Sequence, residues 1–355
     1  SLTPLLLVTP PSRPLSPCPS PCTCYLSPLT VSCQSLGLST LPSPLPPSSS
    51  RLLLQGNKIE EVGLRPFPPL LTVLALHSNN LSLLHESGLS GLAWLQDLDL
   101  GHNPGLLTLG PGTFRGLVSL RSLHLGGCGL LQLPPGLFSG LVSLRYLYLH
   151  DNRLPGLPSG TFRGLGNLSD LFLYGNRIET LPGWAFEGAL GLRRLLLHGN
   201  GLGLVKPEAF SGLSALSTLF LFENRLQTLP GVSLSPLRSL LYLRLNSNPW
   251  LCDCQALGLR GWFRNYRGAS TPVSCLQPPS LQGRDLRGLE QAEFGACPGA
   301  RTQWGDDGAF WSRPQASPGR WAQGLNGSSG QEGVWGGERE MWLLPLMVCV
   351  SLIPL

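Results

Sequence analysis

The sequence predicts a one-dimensional solenoid: an α/β-type leucine-rich-repeat stack with a curved parallel β-sheet on its concave face and disulfide-bonded caps at both ends. The first observation behind this is a repeat. The spacing L-x-L-x-x-N-x-L recurs nine times, with its Asn column at Asn57, Asn79, Asn103, Cys128, Asn152, Asn176, Asn200, Asn224 and Asn248. The steps are 22, 24 and 25 residues and then five of 24, and a period in the twenties with this motif marks leucine-rich repeats. The second is the grouping of cysteines, four before the first repeat and four after the last. The third is composition: 42% hydrophobic against 13% charged residues, with Gly and Pro falling at repeat turns, as suits a long thin core.

Each letter of the repeat has a physical task. One copy reads Leu168, Leu171, Leu173, Asn176, Ile178, then Leu181, Phe186 and Leu190. Alternating Leu residues point inward from a short strand. The Asn amide both donates and accepts, so it can satisfy buried backbone where the strand turns. Phe114, Phe138, Phe162, Phe186 and Phe210 are expected to form an internal spine behind the sheet. No repeat buries its Leu face alone, so neighbours must stack.

The caps follow from the open ends of such a stack, which need polar cover. Cys18, Cys22, Cys24 and Cys33 precede the repeats, and Cys252, Cys254, Cys275 and Cys297 follow them. Disulfides hold small caps that lack a core of their own, although C-x-C with two distant cysteines is also a zinc-ligand pattern. Four cysteines allow three connectivities per cap. The expected pairs are Cys18–Cys24, Cys22–Cys33, Cys252–Cys275 and Cys254–Cys297. Cys128 sits at an Asn position of the ladder and is expected to be a buried, unreactive thiol.

The ends of the chain suggest membrane attachment. The apolar start resembles a remnant of a secretory leader. Met341 to Leu355 is an apolar run, shorter than the ~20 residues of a membrane helix. It is preceded by the small residues Gly327, Ser328, Ser329 and Gly330 and a polar spacer, Gln331 to Glu340. That order is the pattern of a glycosylphosphatidylinositol (GPI) signal, with Ser328 as the expected anchor. The organisation expected is a leader remnant at 1–17, an N-terminal cap at 18–50, repeats at 51–250, a C-terminal cap at 251–299, a flexible stem with the anchor site at 300–330, and a removed signal at 331–355. Asn80, Asn167 and Asn326 head N-x-S sequons, the expected glycosylation sites.

No catalytic set emerges: there is no nucleophile elbow, H-E-x-x-H, Walker loop or Rossmann fingerprint. Neither an enzyme nor a cofactor is expected. The net charge of +5 is carried almost wholly by Arg without a basic helix or a basic-aromatic module, so no nucleic-acid partner is expected. The residues two, four and six before each ladder Asn should face the concave surface. That register places His77, His124, His150 and His198 there, with His102 at the margin. The candidate ligand-binding set is Asp97, Asp99, His124, Tyr146, Tyr148, His150, Asp170, Phe172, Tyr174, Arg194, Phe220, Phe222, Tyr242 and Arg244. A contiguous exposed aromatic band is unusual on a surface without a partner; the alternative is a set of solvated strand residues. No metal site is expected, because spacing fixes no third ligand beside His124 and His150.

Particular strings carry a family resemblance. Cys22-Thr-Cys-Tyr and Thr30-Val-Ser-Cys at the start, Leu144-Arg-Tyr-Leu-Tyr-Leu in the middle and Asn248-Pro-Trp-Leu-Cys-Asp-Cys at the end resemble the Nogo receptor family. So do Gly283-Arg-Asp-Leu-Arg, Ala292-Glu-Phe and Cys297-Pro, and Leu125-Gly-Gly-Cys-Gly-Leu with the one-residue expansion after Asn103-Pro. The resemblance covers about residues 18–299. It implies a GPI-anchored neuronal receptor on the outer leaflet of the plasma membrane, binding myelin-associated inhibitors, among them myelin-associated glycoprotein, and restraining axon growth. It also implies sialylated glycans or heparin-like glycosaminoglycans as ligands, and a transmembrane co-receptor for signalling. The stretch between the C-terminal cap and the expected anchor site is shorter than the stem of the family pattern. A second reading is a synaptic adhesion or matrix-organising repeat protein.

Overall fold

The computed structural model describes residues 18–64, 67–295 and 297. Its centre is a twelve-stranded sheet. The antiparallel hairpin Thr23–Leu26 and Leu29–Ser32 begins it, and every later pairing is parallel. Nine strands of three residues follow, one per repeat, from Arg51–Leu53 to Tyr242–Arg244, and Ala269–Ser270 of the C-terminal cap closes the edge. The register is constant. Ser122, Tyr146, Asp170, Arg194, Thr218 and Tyr242 lie side by side, and so do the residues two further along each strand.

The inward Leu residues are sealed. Leu147, Leu171, Leu195 and Leu219 have no exposed surface, and Phe114, Phe138, Phe162, Phe186 and Phe210 are at most 1% exposed. Phe114 stacks on Phe138 at 6.3 Å, while Phe162, Phe186 and Phe210 stack at 5.8 and 6.1 Å. One expected core position is corrected. Leu190 is 62% exposed, and Ala189 is buried in its place. Ala189 lies three residues after the spine Phe, as Leu165 does in the preceding repeat, so Leu190 falls one position past the inward register.

The Asn column wires each repeat to the one before. Asn176 Nδ2 donates to Leu149 O (2.9 Å) and Leu173 O (3.0 Å), while its Oδ1 accepts from Leu154 N–H at 3.1 Å. The other ladder Asn residues do the same. At Cys128 the Sγ contacts Leu100 O at 3.2 Å, but a thiol is a poor acceptor. The N–H that an Asn would have accepted, on Leu106, instead donates to Asn103 O at 2.9 Å across a tight turn. The extra residue of the 25-residue step makes that turn, so the insertion and the Cys compensate each other. Immediately before each ladder position the backbone is left-handed: Gly56, Ser78, His102, Gly127, Asp151, Gly175, Gly199, Glu223 and Ser247 all have φ between 52° and 71°.

Both ends are closed by caps. Cys18–Cys24 and Cys22–Cys33 brace the N-terminal hairpin, and Cys252–Cys275 braces the C-terminal cap, where Cys254 and Cys297 are also disulfide-bonded. Thr271 Oγ1 accepts from Leu245 N–H at 2.9 Å, standing in for the next strand's carbonyl, and Trp250 Nε1–H donates to Leu245 O at 3.0 Å, the bond a further ladder Asn would make. The helix Leu257–Asn265 lies against the short helix Gly231–Leu234. A Cβ at Gly231 would strike the Gly258 carbonyl, so glycine is what permits this approach. No helix among the described residues is long and apolar enough to cross a membrane. The leader, the stem, Asn326, Ser328 and the apolar tail lie outside the described residues.

Candidate ligand-binding face

Constant register turns single side chains into rows. In the row four residues before the ladder, His124 stacks on Tyr148 at 4.0 Å, and Tyr148 on Phe172 at 4.5 Å. Leu196 separates these from Phe220 and Arg244. In the row two before the ladder, His150, Tyr174, His198 and Phe222 stack in succession at 4.7, 4.8 and 4.3 Å, and the Arg244 guanidinium lies 4.1 Å from the Phe222 centroid. His198 therefore sits within the second row, on the face where the register places it, although the candidate ligand-binding set omitted it. The row begins over bare backbone, because a Cβ at Gly126 would lie 2.5 Å from His150 Cε1. These rings are 4.0–4.8 Å apart, against 5.8–6.3 Å in the spine behind them. The strand side is the tighter one, so the repeat stack bends with this face inward.

The third row is polar. Arg194 Nη1 meets Asp170 Oδ1 at 3.2 Å, and Asp170 is only 7% exposed. Asp170 is thus a brace for Arg194 and not an open contact residue. Tyr146 and Tyr242 are 41% and 56% exposed, whereas Tyr148, Phe172, Tyr174, Phe220 and Phe222 are half-buried. The aromatic band is consequently less open than expected, because most of its rings cover one another. Asp97 and Asp99 lie toward the N-terminal end of the face. Asp97 Oδ1 is buried without a hydrogen bond, 4.0 Å from His124 Nε2, which itself contacts Ser122 Oγ at 2.8 Å. Burial pushes the Asp97 carboxyl up, with His124 opposing, and burial lowers the His124 imidazole. His150 Nδ1 meets Asp151 Oδ2 at 2.9 Å. Burial, and then the Arg244 cation, lower His198 to about 4. His198 is therefore neutral at pH 7, as a ring stacked between Tyr174 and Phe222 would favour.

Among the described residues no group of three or more His, Cys, Asp or Glu side chains is arranged to hold a metal ion. All fourteen candidate residues lie on this one face, acidic toward its start and basic toward its end. Two sequon residues are exposed elsewhere: Asn80 just beyond the ladder, and Asn167, whose Nδ2 donates to Val142 O at 2.8 Å.

Comparison with known proteins agrees with this architecture. The leucine rich repeat family profile matches residues 47–104, 69–130, 105–154, 119–178, 147–202 and 190–249. Reticulon-4 receptor-like 2 of Rattus norvegicus is 60% identical over 293 residues, 82% of this chain and 69% of that protein. The Homo sapiens protein of the same name is 60% identical over 296 residues, 83% and 70% of the two chains. Among solved structures, human 5T4 (trophoblast glycoprotein) superposes with a TM-score of 0.57 and 26% identity, over 78% of this chain and 99% of that one.

Proposed function

Because the chain belongs to the reticulon-4 receptor (Nogo receptor) family of leucine-rich-repeat proteins, we propose that it is a cell-surface receptor whose concave sheet grips an extracellular protein ligand. The observation that carries this reading is the pair of stacked rows. Ring faces are consumed between neighbours, and strand side chains stand perpendicular to the sheet, so ring edges point outward. Hydroxyl and imidazole tips then form a preorganised line of donors and acceptors, held at no further entropic cost when a ligand arrives. Such edges suit hydrogen bonding to a polypeptide better than stacking against sugar rings. Asp97 and Asp99 at one end, and Arg194 and Arg244 at the other, favour a ligand of opposite polarity along the same axis. Tyr146 and Tyr242 supply the freest aromatic surface, the type enriched at binding hot spots.

The finer reading is a GPI-anchored receptor for myelin-associated inhibitors, with sialylated glycans or glycosaminoglycans as secondary ligands, acting in neurons. A lipid-anchored chain has no cytosolic part, so it would signal through a transmembrane co-receptor beside it. Two experiments test these levels separately. Displayed on cells, Tyr148→Ala, Phe172→Ala and Phe220→Ala should weaken binding of a myelin-inhibitor ectodomain while surface expression holds; normal binding by all three sinks the concave assignment. Phosphatidylinositol-specific phospholipase C should release the intact chain from the surface, and resistance would argue for a spanning anchor instead.

A further inference from the structure

On the opposite side of each repeat lies a turn sixteen residues before the next ladder Asn. Gly136 and Gly160 occupy it with φ of 76° and 74°. In the next repeat the residue is Trp184, with φ 59° and 55% of its surface exposed. A left-handed backbone disfavours any residue with a Cβ, and a bulky one most. The burial of neighbouring side chains does not offset this, since the indole is largely in water.

The surroundings hold the turn in place. Thr180–Leu181 pairs in parallel with Leu204–Val205. Lys206 N–H donates to Leu181 O at 3.0 Å, and Trp184 N–H to Glu208 O at 2.9 Å, so the ladder continues up to the Trp itself. Beside the indole is an open recess of about 410 Å³ lined by Ser159, Gly183, Trp184 and Glu187. Glu187 meets Arg163 at 2.9 Å on one side. Glu208 lies over Gly183, where a Cβ would be 3.4 Å from its Oε2, and it has no ion pair among the described residues. An exposed indole and the Glu187 carboxylate thus border one recess, with the Glu208 carboxylate beside Gly183 at its edge.

We infer that this recess is a second interaction surface, separate from the concave face, and that it takes an Arg or Lys side chain of a protein partner. An indole face attracts a cation. The Glu208 carboxylate is unneutralised, and the Glu187 carboxylate retains acceptor sites beyond its bond to Arg163. Its place on the back of the stack leaves the concave sheet free for ligand while a neighbour engages here.

The test uses the purified full chain with hexa-arginine as probe and hexa-glutamate as control, in an Asp97→Asn/Asp99→Asn background that removes the concave acids. Hexa-arginine should bind and hexa-glutamate should not. Trp184→Gly should weaken hexa-arginine by about three- to fivefold and should leave the melting temperature unchanged or raise it, because glycine suits the left-handed turn. Trp184→Tyr should keep most of the binding, and Glu208→Gln should lose it more steeply at low salt. If Trp184→Gly binds hexa-arginine as the parent does, the site is overturned. A lowered melting temperature in Trp184→Gly also overturns it, since the indole would then be a packing residue.

Discussion

Two rows of rings run through this molecule, and they differ in everything but period. The buried spine is Phe at every position and spaced near 6 Å. The concave rows mix His, Tyr and Phe with a terminal Arg and are spaced 4.0–4.8 Å. Uniform chemistry serves packing, since any repeat can stack on any other. Varied chemistry gives each position along the face its own polar tip. One periodic scaffold therefore carries a row that is about stability and rows that are about recognition, and substitutions should separate them.

The largest effect should come from the spine. Phe162→Ala opens a cavity in a sealed core and should cost about 3–5 kcal/mol, read by chemical denaturation, whereas Tyr174→Ala should cost about 1 kcal/mol or less beyond lost area. Equal losses would erase the distinction. Next come the caps. Cys254→Ser removes a disulfide of a small cap and should cost about 2–5 kcal/mol, cutting secretion sharply, while Cys128→Ser should change secretion much less. A smaller stability effect but a larger binding effect is expected from Arg244→Ala, which uncaps the Phe222 end of the second row; weaker ligand capture at normal surface abundance would sharpen the contrast. The smallest effect is one of pH. His198 binds a proton near 4 in the folded chain and near 6.5 when unfolded. The unfolded state therefore holds more protons between those values, and stability should fall as pH drops from about 6.5 toward 4, then level off. His198→Phe should flatten that slope in melts across the same range; an unchanged slope would assign the loss to other groups.

Much of this was legible in the sequence because the repeat leaves few choices. Leu171, Asn176 and Phe186 have inward tasks that only their types perform, and the two-residue alternation places Tyr148 and Phe172 on one face. Other features were not legible. Leu190 looked like core because Leu repeats at nearly the right spacing, and only Ala189 in the true register corrects it. That rings would cover one another, leaving Tyr146 and Tyr242 as the open ones, depends on a separation between strands that sequence does not state. Asp170 looked available until Arg194 closed on it. The left-handed column before the ladder was hidden because Asp151, Glu223 and His102 share no obvious chemistry. Gly at four of its nine positions was the available signal.

The break in the Asn ladder has a mechanical consequence. Stacks of repeats melt as chains of coupled units, each stabilised by its neighbours. Between the repeats of Asn103 and Cys128, an amide that elsewhere makes two hydrogen bonds to the preceding repeat is replaced by a thiol that keeps the contact to Leu100 O, and the Leu106 N–H turns to Asn103 O. The strand pairing runs on unbroken across this step, so the exchange of amide for thiol is expected to act as a local change in coupling about a third of the way along the solenoid. Under force or moderate denaturant, any parting of the two sides should begin at that step. Restoring Asn at position 128 and deleting Gly105 together should remove the difference.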